Sequence, residues 1–161
     1  AGVPFYLRTG RGLAARDTEI VITFKPVPFA LFRDTDVARL PPNRLVLQIQ
    51  PAEAISLDFV AKKPGLVVDT APVSMDFRYA DHFTLGQTTG YEALLYDVLI
   101  GDQSLFQRAD EVEAAWAVVQ PFLDHMKKAK KPPEDYAAGT AGPPGAEALM
   151  ARDGRQWHAL G

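Results

Sequence analysis

The residues of this chain that could do chemistry fall into no complete catalytic pattern. His82, His125 and His158 stand far apart, with no histidine pair four residues apart and no HExxH. Metal ligands would have to converge from separate elements, so these histidines read as surface or hydrogen-bonded side chains and no metal site is expected. Ser56, Ser74 and Ser104 lie in no GxSxG turn, so a nucleophile elbow is absent. Asp58, Asp76, Glu111 and Glu113 read as solvated faces and helix caps, since a paired acid and base need a spacing that sequence does not give. Gly10-Arg11-Gly12 lacks the third glycine and the helix start of a dinucleotide turn. In the stretch 139–145 the prolines remove amide donors and no Gly-Lys-Ser/Thr follows, so both glycine segments read as turns. Two polar features remain. Arg8, Arg11 and Arg16 cluster on a first hairpin, where guanidinium groups can reach anionic oxygens, and Gln50 ends a strand with both a donor and an acceptor.

The elements that would position them come in two halves. Residues 4–8 form a short apolar run closed by Gly10 and Gly12. Residues 18–25 alternate, with Ile20, Ile22 and Phe24 on one face. Residues 43–50 alternate as Leu45, Leu47 and Ile49 against Val46, Gln48 and Gln50, and Pro51 ends them. Residues 55–62 and 73–79 continue the pattern, placing Ile55, Leu57 and Phe59, then Val73, Met75 and Phe77, on the same side. Period-two alternation in successive segments bounded by proline or glycine predicts an antiparallel sheet with one covered apolar face. The other face mixes Val21, Val46 and Val60 with polar residues, as a surface toward water or a partner would.

The second half predicts helices. Residues 91–100 are apolar on almost every side, as in a short buried helix closed by Gly101. Asp110 and Glu113 suggest a capping box for a helix through Trp116 and Val119 that Pro121 should kink or restart. Lys127, Lys128, Lys130 and Lys131 suit its C-terminus before Pro132 and Pro133. A last short helix reaches about residue 152, and Asp153-Gly154 turns the chain toward Trp157. The expected class is α+β: a large, mostly antiparallel sheet with helices packed on one face, in a single domain spanning residues 1–161.

Composition sets bounds on function. Twenty acidic and 17 basic residues give a net charge of -3, so neither nucleic acid nor a membrane is an expected partner. The absence of cysteine excludes disulfides and thiolate metal sites and fits a reducing compartment. No apolar run is long enough to span a bilayer, and no basic stretch with an apolar core opens the chain, so a cytoplasmic protein is expected. The length suffices to bury about two-thirds of the unfolded surface. Ala1 leads directly into an apolar run and reads as a cut end.

Taken together, the segments resemble the C-terminal region of glucose-6-phosphate dehydrogenases. The resemblance rests on Gly2-Val-Pro-Phe-Tyr-Leu-Arg-Thr-Gly10, Asn43-Arg-Leu-Val-Leu-Gln-Ile-Gln-Pro51, Lys62-Lys-Pro-Gly65 and Met75-Asp-Phe-Arg-Tyr79. It continues through Tyr91-Glu-Ala-Leu-Leu-Tyr-Asp-Val-Leu-Ile-Gly101 and Arg108-Ala-Asp-Glu-Val-Glu-Ala-Ala-Trp116. Ala138-Gly-Thr-Ala-Gly-Pro143 and Arg152-Asp-Gly-Arg-Gln-Trp157 complete a series that covers nearly the whole chain in the family's order.

The resemblance implies a parent enzyme of the oxidative pentose phosphate pathway that oxidises glucose 6-phosphate to 6-phosphogluconolactone with NADP, or in some members NAD. It implies an N-terminal Rossmann domain that is absent here, and a sheet that forms the contact of a homo-oligomer, with residues 43–79 expected to touch the partner. The family's glycine-rich nucleotide turn and its Asp-His-Tyr segment, with the catalytic histidine, lie outside this chain. The chain by itself is therefore expected to be inactive, because hydride transfer needs nicotinamide, sugar and base held together. Residue by residue, the resemblance gives three substrate-side positions: Arg11, where the family has lysine, Arg16, and Gln50 of the Gln-Pro pair. Arginine keeps the charge at position 11 but not the compact ammonium. Some family members hold a second, structural NADP, and Arg8, Asp76 and Trp157 match that site. Asp17, Val21, Gln48 and Asp58 stand where it needs cationic or polar partners, so no structural NADP is expected. The competing reading is a stand-alone, non-catalytic interaction module derived from this domain.

Overall fold

The computed structural model describes residues 2–29, 40–84, 90–129 and 132–159. Backbone contacts divide the chain into two compact units, Ala1–Leu85 with Asp135–Gly161, and Gly86–Glu134.

The first unit holds a four-stranded antiparallel meander of β1 (Thr18–Thr23), β2 (Arg44–Gln50), β3 (Ala54–Lys62) and β4 (Thr70–Arg78), paired in that order. The register aligns Ile20, Leu47, Ile55 and Phe77 in one cross-strand row and Ile22, Leu45, Leu57 and Met75 in the next. Because side chains alternate at period two, this stacks every apolar row on one face, as the alternation predicts. The opposite face carries the rows Val21-Val46-Ser56-Asp76 and Thr23-Arg44-Asp58-Ser74. A register shift between Thr18 and Glu19 marks a bulge where β1 meets Gln48 and Gln50.

β4 begins three residues before the expected strand and includes Pro72, which pairs with Val60. As an outer strand of the described sheet, β4 tolerates a residue with no N–H to donate outward. The turn into it is closed by Lys63, whose N–H donates to the Asp69 carbonyl at 2.8 Å and whose ammonium pairs with the Asp69 carboxylate at 2.7 Å. A single helical turn, α1 (Tyr79–His82), follows β4, with Phe77 stacked on His82 at 4.9 Å.

The run 4–8 is no strand. It has no ladder partner among the described residues, and Phe5 is 93% exposed. The expected large core is also missing. Val46, Ala54 and Met150 are the buried apolar residues among those described, while Ile20 and Met75 on the apolar face stay 53% and 62% exposed. A sheet buries its apolar face only against another layer; in these rows Leu45, Leu47, Leu57 and Phe77 are half-buried while Ile20, Ile22, Ile55 and Met75 stay exposed.

The C-terminal part of the first unit forms α4 (Pro144–Arg152), with Pro144 at its start and Gly154 (φ 64°) just past its end. Arg155 N–H donates to the Met150 carbonyl and Gly154 N–H to the Ala151 carbonyl, both at 3.0 Å. This is the pair of bonds by which a left-handed glycine ends a helix.

The second unit holds α2 (Gly90–Ile100) and α3 (Ala109–Ala129). Gly101 (φ 76°) closes α2 as expected, but α2 buries none of its residues. A helix that is apolar all round needs cover on every side, and one companion helix does not supply it. α3 runs unbroken through Pro121 where a kink or restart was expected, and Pro121 and the turn before it are exposed, so the carbonyl left without an N–H can reach water. Its cap also lies two residues earlier than expected: the Arg108 N–H donates to the Glu111 carboxylate at 3.2 Å. The Arg108 guanidinium forks onto Asp110 at 2.9 and 3.0 Å and holds that carboxyl below its ordinary pKa. Lys127 and Lys128 occupy the last turn, whereas Lys130 and Lys131 lie outside the described residues. No helix among the described residues is long and apolar enough to cross a membrane.

Candidate functional site

Arg11 sits in a tight bend, not in a two-stranded hairpin. Instead of pairing with the chain that follows, residues 10–14 pair with residues 136–142, far along the sequence. Leu13 forms a parallel bridge with Thr140, and the Ala14 N–H donates to the Thr140 carbonyl at 2.9 Å. The Gly139 N–H donates to the Gly12 carbonyl at 2.8 Å, and the Tyr136 hydroxyl to the Arg11 carbonyl at 2.8 Å. The backbone is thus tied down while the Arg11 side chain is left exposed.

Arg16 is exposed two residues before β1, and Gln50 is exposed at the end of β2, where it pairs across the ladder with Thr18. The bulge at Thr18 therefore places Arg16 and Gln50 at the same end of the sheet. No hydrogen bond or ion pair joins Arg11, Arg16 and Gln50 to one another among the described residues. Arg8, the third arginine of the expected cluster, faces elsewhere: it donates to the His158 carbonyl at 3.1 Å and lies 5.0 Å over the Trp157 ring.

The polar sheet face forms a shallow cleft lined by Asp17, Glu19, Gln48, Ser56, Asp58, Asp76 and His158. Cross-strand serines hold two of its acids, Ser56 donating to Asp76 at 2.7 Å and Ser74 donating to Asp58. The Gln48 amide donates to Asp17 at 3.4 Å. His158 Nδ1 reaches both Glu19 oxygens at 2.8 and 3.0 Å, so the one imidazole in the cleft is already paired with an acid. Among the described residues no group of three or more histidine and acidic side chains is arranged to hold a metal ion.

Beside this cleft the two ends of the first unit are pinned together. The Trp157 indole N–H donates to the Ala146 carbonyl at 3.0 Å, its ring meets Tyr6 edge to face, and Arg155 lies over the Tyr6 ring. The Tyr6 hydroxyl donates to the Asp153 carboxylate. That bond raises the Tyr6 pKa above its ordinary 10.0, since ionisation would set two anions side by side.

Comparison with known proteins decides the family. A sequence profile described as "Glucose-6-phosphate dehydrogenase, C-terminal domain" matches residues 1–158. The chain belongs to the glucose-6-phosphate dehydrogenase C-terminal domain family. A glucose-6-phosphate 1-dehydrogenase of Mycolicibacterium smegmatis is 49% identical over 158 residues, which cover 98% of this chain and 32% of that protein. One from Aggregatibacter actinomycetemcomitans is 49% identical over 157 residues, covering 98% of this chain and 31% of that protein. Among solved structures, a glucose-6-phosphate dehydrogenase in complex with its substrate glucose-6-phosphate superposes with TM-score 0.73 at 32% identity, over 92% of this chain and 30% of that one. Glucose-6-phosphate 1-dehydrogenase from Mycobacterium avium gives TM-score 0.75 at 32% identity, over 100% of this chain and 32% of its own. The chain thus spans about a third of the length of the relatives it matches.

Within this family's frame, two features escaped the sequence. His158 is tied to Glu19 across 139 residues, and Tyr136 to Arg11 across 125. The paired glycines at 10 and 12 and at 139 and 142 hint that two backbones approach closely, but nothing local marks the tyrosine. The Tyr6–Asp153 pin can be tested by pH. A tyrosine whose folded pKa is raised contributes stability that is complete below pH 10 and lost as pH rises through the folded value. Spectrophotometric titration is expected to show one tyrosine ionising above the ordinary range, absent in Tyr6→Phe and shifted down in Asp153→Asn. An unchanged titration in both variants would refute the pin.

Proposed function

We propose that this chain is the C-terminal domain piece, residues 1–161, of a glucose-6-phosphate dehydrogenase that oxidises glucose 6-phosphate to 6-phosphogluconolactone with NADP in the cytoplasm. The observation that carries this is the family match over residues 1–158, with relatives three times the chain's length. The exposed apolar rows support it, since they need a covering layer that the rest of such an enzyme would provide. The catalytic histidine and the nucleotide site belong to that remainder, and this chain's own part is to bind and orient the sugar phosphate. Arg11 and Arg16 present fixed positive charge, and Gln50 offers a donor and an acceptor to hydroxyls. A stand-alone interaction module is not favoured, because the similar proteins described above are dehydrogenases.

In the full-length enzyme, Arg11→Ala is expected to raise KM for glucose 6-phosphate about tenfold or more, the scale of losing a hydrogen bond from a charged group. Gln50→Ala is expected to raise it about threefold, and neither substitution should alter KM for NADP. Unchanged sugar KM in both variants would remove these residues from the site.

The polar face supports the reading that no structural NADP binds here. Asp17, Glu19 and Asp58 line the cleft, and these three carboxylates oppose a phosphate-bearing ligand. Calorimetry on the full-length enzyme is expected to find one NADP site per protomer. A second site of micromolar affinity that survives loss of the catalytic one would overturn this.

The same mixed face, centred on residues 43–79, is the proposed contact between copies of the enzyme. Sedimentation is expected to give a dimer or a dimer of dimers. A strictly monomeric, fully active enzyme would contradict it.

A further inference from the structure

Arginine has four side-chain torsions, so an exposed arginine that is to meet a ligand loses considerable freedom on binding unless its root is held. Around Arg11 that root is held at successive backbone positions. Tyr136 donates to the Arg11 carbonyl at 2.8 Å, Gly139 to the Gly12 carbonyl at 2.8 Å, and Ala14 to the Thr140 carbonyl at 2.9 Å. Tyr136 is the one side chain in this set.

Its hydroxyl also explains a glycine. A Cβ added at Gly10 would stand 2.7 Å from the Tyr136 oxygen, a distance real Cβ atoms do not keep. On the other flank Gly12 has φ 67°, a backbone that glycine adopts without strain. The bend on both sides of Arg11 is therefore shaped to let the tyrosine hydroxyl reach the arginine's own carbonyl.

We propose that Tyr136 is a positioning residue for sugar-phosphate binding, fixing the backbone at Arg11 so that the guanidinium is presented in one orientation. The inference rests on the reading of Arg11 as a substrate ligand given above. Tyr136 itself touches no substrate. Its hydroxyl lowers the cost of ordering Arg11 when the ligand binds, an effect present equally in the ground and transition states, so it belongs in KM and not in kcat.

The test is a double-mutant cycle in the full-length enzyme. Tyr136→Phe removes one oxygen from a partly exposed side chain and leaves the ring in place. It is expected to raise KM for glucose 6-phosphate about three- to tenfold, the range of one net hydrogen bond, with kcat within about twofold and KM for NADP unchanged. Gly10→Ala, which pushes the hydroxyl aside, is expected to give the same KM signature. On an Arg11→Ala background, Tyr136→Phe should add nothing further.

The outcomes separate the two ideas. If Arg11→Ala raises sugar KM but Tyr136→Phe leaves it unchanged, positioning is refuted and the assignment of Arg11 stands. If Tyr136→Phe raises KM equally with and without Arg11, the hydroxyl acts by another route and the proposal fails. If Arg11→Ala has no effect, the underlying site assignment fails first. A drop in kcat and Tm with sugar KM unmoved would mark Tyr136 as merely structural.

Discussion

The register of β2 against β3 is the constraint on which the rest of the first unit depends. Leu47 opposite Ile55 and Leu45 opposite Leu57 set the apolar rows of the meander on one face. A slip of one residue would send those rows outward and bring Ser56 and Asp58 inward. The β3–β4 register continues this alignment and brings Ser56 to Asp76 and Ser74 to Asp58, so the acidic cleft and the apolar rows both follow from how the meander is paired. On the other side of β2 the β1–β2 register sets Gln50 across from Thr18, two residues after Arg16.

What closes the unit is not sheet pairing but the meeting of its two chain segments. Residues 2–16 run without a strand of their own and take their conformation from residues 135–159. The contacts are polar and specific: Arg8 with the His158 carbonyl, Tyr6 with Asp153, and Tyr136 with the Arg11 carbonyl. Hydrogen bonds of this kind each contribute about 0.5–1.5 kcal/mol net, and several in series define a geometry more than they supply bulk stability. Phe5, between these contacts, stays 93% exposed.

The sparse burial has a functional counterpart. With Val46, Ala54 and Met150 as the buried apolar side chains among those described, the two units keep most of their apolar surface for other layers. The chain spans about a third of the length of the relatives it matches, and its exposed apolar residues leave surface that another layer can cover.

Much was determined by the sequence itself. Alternation placed all four strands within about three residues and assigned their faces, because period-two burial is written locally in the side chains. Gly101 and Gly154 marked helix ends, since only glycine adopts a left-handed turn freely. Family membership, the charge of Arg11 and Arg16 and the amide of Gln50 were also legible, being matters of residue identity and order. Tertiary structure alone decided the rest. The run 4–8 is apolar like a strand, yet no ladder partner meets it among the described residues, and pairing is not a local property. Pro121 passed through α3 because exposure, not sequence, sets what a missing N–H costs. The bonds from His158 to Glu19 and from Tyr136 to Arg11 join residues more than 120 positions apart, and no local pattern encodes a contact at that separation.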